Sequence, residues 1–164
     1  MEARTSKQQE QATGKNQGSG DMRHPQIVIY EPDGWLAAQV AELARSNAWL
    51  VRESRQPDAC LQLLREVRLS ILLLKWDLQM SAEWALLAQV QQQVPLCPVV
   101  VVSDGKHESQ EQKLTLAGLA YDLGATYVLF PPLTRTVIED LASGLLEAAL
   151  QRLRGEDICA NSPS

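Results

Sequence analysis

The sequence has few of the side chains that bind metals or cross-link small secreted domains. Its 164 residues include 3 cysteines and 2 histidines. Cys60, Cys97 and Cys159 share no close spacing, and an odd number of cysteines argues against a disulfide framework or a zinc knuckle. His24 and His107 have no partner at metal-ligand spacing. We therefore predict no metal site at these residues.

An excess of positive charge and long apolar runs are also missing. The net charge of -5 provides no basic field for nucleic-acid phosphates. Residues 1–24 lack the apolar core of a signal peptide, and the internal apolar runs are too short to span a bilayer. We expect a cytoplasmic protein that binds neither nucleic acid nor a membrane.

The composition indicates one folded domain between two tails. Of the 164 residues, 45% are hydrophobic, which is enough to bury the core of a single domain. Residues 1–24 are rich in Gln, Lys, Gly, Ser and Thr without apolar periodicity, so they cannot offset the entropy of ordering. We predict a disordered tail at 1–24, a folded domain at 25–153 and a second disordered tail at 154–164.

Five short apolar segments alternate with five amphipathic segments. The central run at 69–74 is closed by Lys75-Trp76-Asp77 and has the composition of a strand buried on both faces. Alternation of strands and helices requires a parallel sheet with right-handed crossovers. The predicted fold is a flavodoxin-like three-layer α/β sandwich with the strand order 2-1-3-4-5. The predicted strands are residues 26–30, 48–52, 69–74, 98–103 and 126–130.

Apolar side chains recur at helical spacing between these strands. Ser81 and Thr134 are the expected N-caps of the third and fifth helices, and Gly124 is expected to end the fourth. The predicted buried faces of the five helices, in order, are Leu36, Val40, Leu43 and Ala44; Cys60, Leu63, Leu64 and Val67; Trp84, Leu87 and Val90; Leu114, Ala117, Ala120 and Leu123; and Ile138, Leu141, Leu145 and Ala148.

Three segments resemble the receiver domain of two-component response regulators. Residues 124–133 (GATYVLFPPL) are similar to that family's Gly-Ala-x-x-Tyr-Leu-x-Lys-Pro-Phe segment, and residues 98–103 (PVVVVS) are similar to its fourth strand, which ends in Ser or Thr. Tyr30-Glu31-Pro32-Asp33 is similar to the acidic turn after its first strand. The resemblance covers roughly residues 26–150 and implies a CheY-like fold and a role in signal transduction.

The chain departs from this family at most of the positions that phosphoryl transfer needs. The family uses an acidic pair that holds Mg²⁺, an Asp nucleophile after the third strand, a hydroxyl after the fourth and a Lys after the fifth. Glu31 matches the first acid and Ser103 matches the hydroxyl. Pro32 falls on the second acid, Lys75 on the nucleophile and Pro131 on the lysine. An ammonium cannot form an acyl phosphate, so the resemblance implies a degenerate receiver, or pseudo-receiver, without catalytic residues.

Lys75 suggests a physical substitute for the missing metal. Its ammonium can pair with Glu31 or Asp33 and occupy the volume that Mg²⁺ fills in active members of the family. This hypothesis leaves open which of the two acids is the partner.

Asp77 provides an alternative, because Asp77-Leu78-Gln79-Met80 copies the Asp-Leu-x-Met around the receiver nucleophile. An Asp77 phosphoacceptor requires a third strand longer by two residues, with Lys75 and Trp76 inside it. Pro131 still replaces the lysine in that register. A small-ligand site at the sheet's switch point is a further alternative, although no Gly-x-Gly-x-x-Gly follows the first strand.

The predicted function follows from the resemblance. We predict a protein that is not an enzyme, needs no cofactor or metal, and acts as a phosphorylation-independent protein-protein interaction module in phosphorelay signal transduction. By resemblance, residues 112–150 contain the contact surface for another signalling protein or for a second copy of the chain.

Overall fold

The computed structural model describes residues 24–76, 81–105 and 109–160, with side chains as far as Arg154. The predictions for the first 23 residues, for Asp77 and for His107 lie outside these ranges. The strands are β1 (Gln26–Tyr30), β2 (Leu50–Ser54), β3 (Ser70–Trp76), β4 (Val99–Ser103) and β5 (Tyr127–Leu129). The helices are α1 (Trp35–Asn47), α2 (Pro57–Leu64), α3 (Ser81–Gln93), α4 (Gln110–Asp122) and α5 (Arg135–Ala160).

The five strands form one parallel sheet in the order β2-β1-β3-β4-β5, which confirms the predicted topology. The central strand β3 pairs with β1 so that Tyr30 lies opposite Leu74. On its other side β3 pairs with β4, with Lys75 opposite Val102 and Trp76 opposite Ser103. The carboxyl ends of these three strands therefore meet at one edge of the sheet, which we call the carboxyl edge.

Strand β3 is buried along its whole length, as its composition predicts. Alternate side chains point to opposite faces of a strand. Leu72, Leu74 and Trp76 belong to a core cluster that includes buried residues of α2, α3 and α4, whereas Ile71 and Leu73 belong to a second cluster with α1 and α5. The sheet thus separates two apolar layers.

Four of the five strands differ from the predicted bounds, β4 and β5 only by a single residue at one or both ends. β2 begins at Leu50 rather than at residue 48, because the two preceding residues form the C-terminal end of α1. Ala48 adopts a left-handed conformation with φ of 56°, and Trp49 donates its N–H to the Ala44 carbonyl at 3.0 Å. β3 extends beyond residue 74 and includes Lys75 and Trp76.

Three helices also differ from their predicted patterns. α2 ends at Leu64, and Val67, which we predicted to be buried, is 84% exposed. α4 buries Leu116 and Ala120, whereas Leu114 is exposed. The helix packs on β5, the short strand at the edge of the sheet, and this strand covers only a narrow strip of the helix surface. α5 continues through Gly155 to residue 160, since one glycine costs a helix only about 1 kcal/mol. Among the described residues, no helix has the length and apolar character to cross a membrane.

Candidate functional site

Lys75 is the central charged group of the carboxyl edge. Its side chain is 7% exposed, and its Nζ lies 2.5 Å from Oδ2 of Asp33 and 3.9 Å from Oδ2 of Asp104. The ring centroid of Trp35 lies 5.1 Å from the same Nζ, within the range of cation–π contacts. The ammonium is therefore enclosed by two carboxylates and an aromatic face.

The topology explains this arrangement. Asp33 lies in the loop after β1 and Asp104 in the loop after β4, and these two strands flank β3. The loops that leave the carboxyl ends of neighbouring parallel strands border one crevice. The side chain of Lys75 extends into that crevice from the strand between them. It places a positive charge where two acidic loops converge.

Glu31 has a different role from the one its position suggests. Its side chain is buried, and its two carboxylate oxygens accept hydrogen bonds from the backbone N–H groups of Leu36 at 2.6 Å and Ala37 at 2.7 Å. The N-cap residue of α1 is Gly34, which has no side chain to accept these bonds. Glu31 thus replaces the missing cap and provides hydrogen-bond acceptors for N–H groups that have none within the helix.

Asp33 serves both the helix and the lysine. Its Oδ1 accepts a hydrogen bond from the Trp35 N–H at 3.3 Å, while its Oδ2 accepts one from Lys75. Of the two acids that the sequence offers as partners for Lys75, the structure brings Asp33 into the ion pair and directs Glu31 to α1. The two acids after β1 are therefore both engaged by groups of the protein itself.

The ion pair also affects the protonation of Asp33. The pKa of its carboxyl lies below the usual 3.8, chiefly because Lys75 donates a hydrogen bond to it; partial burial opposes this shift, and the Trp35 N–H adds to it. The lower pKa in the folded state means that the pair stabilises the fold at pH values above 3.8. This stabilisation is lost as the pH falls through the folded-state pKa of Asp33.

Ser103 and Pro131 complete the other side of the crevice. Ser103 is fully buried, and its Oγ accepts a hydrogen bond from the Gly105 N–H at 3.1 Å. Gly105 has φ of 65°, and a Cβ there would lie 2.7 Å from Cδ of Pro131. Pro131, which aligns with the family's lysine, therefore packs against the loop after β4 and contributes no hydrogen-bond donor.

Pro32, which aligns with the second acid, is exposed in the loop after β1. It lines a cleft of about 360 Å³ with Glu31, Arg55 and Ser81 among others. No group of three or more His, Cys, Asp or Glu side chains within the described ranges is arranged to hold a metal ion.

Sequence analysis missed the part played by two residues. Asp104 looks like an ordinary turn residue before Gly105, and Trp35 looks like the first apolar residue of a helix. The signal for Asp104 was its position directly after the strand that neighbours β3. The signal for Trp35 was weaker, because its contact with Lys75 depends on how the loop before α1 folds.

The fold matches known receiver domains, whereas the sequence alone matches nothing significantly. No protein-family model and no curated protein sequence matches the chain. A CheY-like response regulator receiver domain protein from Methanospirillum hungatei JF-1 superposes with a TM-score of 0.63 at 14% identity, over 79% of this chain and 98% of that one.

Two further solved structures give the same result. The receiver domain of NtrX from Brucella abortus has a TM-score of 0.61 at 22% identity, over 74% of this chain and 98% of that one. The signal receiver domain of an HD domain-containing protein from Pseudomonas fluorescens Pf-5 has a TM-score of 0.67 at 18% identity, over 85% and 98%. These likenesses establish that the chain has the CheY-like receiver fold.

Proposed function

We propose that the protein is a degenerate receiver domain that acts in signal transduction as an interaction module independent of phosphorylation. The observation that carries the proposal is the Lys75 ion pair at the carboxyl edge, 2.5 Å from Asp33. A receiver switches because a carboxylate at this edge accepts a phosphoryl group. Here the aligned position presents an ammonium that is already paired.

The electrostatics of the crevice support this proposal. Phosphoryl transfer to a carboxylate needs cations that neutralise the incoming phosphoryl oxygens. In this chain Glu31 caps α1, Pro32 has no carboxylate, and Pro131 offers no donor. Lys75 supplies a permanent positive charge to the acidic loops instead. We infer that it holds the loops together as Mg²⁺ does in active receivers.

The Asp77 phosphoacceptor remains a second candidate, because one observation favours it. β3 includes Lys75 and Trp76, as that register requires, so Asp77 directly follows the last strand residue. The contacts of the crevice favour Lys75 as the equivalent of the nucleophile. Lys75 pairs with Val102, the residue before Ser103. Its side chain contacts the acids of both loops, Asp33 and Asp104.

Intact-mass spectrometry after incubation with Mg²⁺ and acetyl phosphate separates these candidates. We expect no phosphoryl adduct on the wild-type protein, because Lys75 stands in place of the acceptor carboxylate and Pro131 in place of the family's lysine. Beryllofluoride, added as a phosphoryl mimic, is expected to leave the mass and the thermal midpoint unchanged. Asp77→Asn is the matched variant, since it removes the one alternative acceptor without changing the shape of the side chain.

The outcomes lead to different conclusions. A stoichiometric adduct on the wild type that disappears in Asp77→Asn would replace our proposal with an active receiver. An adduct that survives in Asp77→Asn would place the acceptor elsewhere and refute both candidates.

The surface formed by α4, β5 and α5 supports an interaction role. By resemblance this region, residues 112–150, is the contact surface. Large apolar side chains are exposed on each of its elements: Leu114 and Tyr121 on α4, Tyr127 on β5 and Val137 on α5. Leu114 and Tyr121 are seven residues apart, so they lie on one face of α4. Tyrosine is enriched in binding hot spots, so Tyr121 and Tyr127 are the strongest candidates for anchors on this surface.

We expect a double variant, Leu114→Lys with Tyr121→Lys, to abolish association through this surface. Loss of two apolar anchors should weaken binding by more than about tenfold, while the free energy of unfolding changes by less than about 0.5 kcal/mol per site. Sedimentation velocity over a range of concentrations measures self-association, and thermal unfolding verifies the fold.

Val67→Lys is the control, since Val67 is even more exposed than Leu114 and Tyr121 but lies after α2, outside the surface. Association lost in Val67→Lys and retained in the double variant would contradict the proposed surface.

A further inference from the structure

A cavity of about 350 Å³ opens at the amino-terminal edge of the sheet, at the opposite end of the strands from Lys75. It lies between the segment that precedes β3, the segment that precedes β4, and the second half of α5. Its volume falls in the range of small-molecule pockets. Because it lies at the other end of the sheet, it is separate from the crevice described above.

The length of α5 creates one wall of this cavity. α5 begins at the carboxyl edge and rises by about 1.5 Å per residue, so the segment up to Ala149 spans about 21 Å, roughly the length of the strands. Residues beyond Ala149 project past the sheet. Arg152 and Leu153 follow Ala149 by three and four residues, so the three share one helix face, and all three line the cavity.

The interior of the cavity is apolar and only partly covered. Leu64 and Ala149 are buried in its floor, whereas Leu96 and Leu153 are exposed at its mouth. An apolar molecule that lay against Leu96 and Leu153 would remove this surface from water, which is favourable in proportion to the apolar area covered. The cavity therefore favours a ligand with an apolar body.

The charge around the mouth is positive, although the chain as a whole carries a net charge of -5. Arg65, Arg68 and Arg152 line the cavity together with one acid, Glu66. The carboxylate of Glu66 is held by Arg52, which lies outside the cavity, at 2.5 Å.

Two of the three guanidinium groups have no acidic partner among the side chains that the structure describes. Arg65 donates a hydrogen bond to the neutral side-chain carbonyl of Gln93. Within the part of the chain that the structure describes, Arg152 makes no hydrogen bond or ion pair. Guanidinium groups bind carboxylates and phosphates through paired N–H donors. A ligand with one anionic group would offset part of this uncompensated positive charge.

We propose that this cavity binds a small amphiphile with an apolar body and a single anionic head group. The body lies against Leu64 and Leu153, and the head group lies between Arg152 and Arg65. The proposal does not depend on the proposed receiver function, since it concerns the opposite edge of the sheet.

The test uses octanoate as the anionic probe and octylammonium as a probe with the same chain and the opposite charge. Both are titrated into the full-length protein below their aggregation concentrations. Two-dimensional ¹H–¹⁵N NMR follows the amides of Ser70, Cys97 and Ala149. We expect saturable shifts of these amides with octanoate and about tenfold weaker binding in Arg152→Gln. Arg55→Gln, a change at the carboxyl edge, should bind octanoate as the wild type does.

Three results would overturn the proposal. Absence of saturable shifts with octanoate would show that the cavity takes no such ligand. Equal binding of octylammonium would show that the arginines do not select the head group. Unchanged affinity in both Arg152→Gln and Arg65→Gln, with the fold verified by the spectrum, would place the head group elsewhere.

Discussion

Lys75→Glu is expected to lower the free energy of unfolding by about 3 to 5 kcal/mol, the usual cost of leaving a buried charge without compensation. The wild-type ammonium is almost fully buried between Asp33 and Asp104. A glutamate there would add a third negative charge to two acidic loops and remove the cation that now holds them. Urea unfolding monitored by circular dichroism measures the difference.

Lys75→Met is the matched control for charge, because methionine keeps much of the apolar length of lysine. We expect a loss of about 1 kcal/mol, since Asp33 is half-exposed and water can solvate its carboxylate once the ammonium is gone. If Lys75→Glu and Lys75→Met proved equally stable, charge would have no part in the role of Lys75. The proposal that Lys75 substitutes for a metal would then fail.

The pH dependence of these variants gives a second readout of the same interaction. In the wild type, the stabilisation from Asp33 is lost as the pH falls through its lowered pKa. In Lys75→Glu the introduced carboxyl becomes neutral in acid, so its repulsion disappears. The stabilities of the two proteins should therefore converge as the pH decreases below 3.8. A constant difference at all pH values would contradict the ion-pair account.

Glu31→Ala is expected to destabilise the protein by about 2 to 4 kcal/mol, since it leaves two buried amides without acceptors. Those amides, of Leu36 and Ala37, donate to the Glu31 carboxylate at 2.6 and 2.7 Å. The carboxylate also lies at the positive end of α1, where a negative charge is favourable. Denaturant unfolding measures the loss.

Glu31→Gln isolates the contribution of the carboxylate. The amide keeps the length of the side chain and one acceptor oxygen, so we expect about half of the loss seen in Glu31→Ala. If Glu31→Ala had no effect on stability, the amides at the start of α1 would have found other acceptors. The capping role of Glu31 would then be incorrect.

The sequence predicted the topology because each strand and helix carries its own local signal. The apolar run before Lys75 and the five valine and serine residues of β4 could hardly form anything other than buried strands. Thr134 was correctly expected to cap α5, and its Oγ1 accepts a hydrogen bond from the Val137 N–H at 3.3 Å. Because strands and helices alternate along the chain, only a few strand orders are possible for a parallel sheet.

The errors arose where tertiary packing overrides a local pattern. Leu114 has the spacing of a buried residue, but α4 covers only the edge of the sheet, so this side chain is exposed. Ala48 and Trp49 look like the start of a strand, yet they end α1. Such outcomes depend on how much of a helix the sheet can cover and on single φ angles, which residue periodicity does not encode.

The candidate site could be predicted only in part for a similar reason. Aligning the third strand with that of the receiver family predicted that Lys75 lies beside the acids Glu31 and Asp33. The choice of Asp33 over Glu31 depends on Gly34, whose lack of a capping side chain commits Glu31 to α1. The cavity at the amino-terminal edge gave no sequence signal, because it combines Arg65, Gln93 and Arg152 from three distant segments.

Lys75 is part of the covalent chain, so the positive charge that it places beside Asp33 can neither dissociate from the protein nor be removed by hydrolysis. An acyl phosphate hydrolyses and a bound metal ion dissociates, and a cell can set the rate of either event. The ion pair forms whenever the chain folds and ends only with unfolding or with protonation of Asp33. A partner that recognised this arrangement would find it in every folded molecule. Occupancy would then follow from the concentrations of the two proteins, and the supply of the protein would serve as the signal.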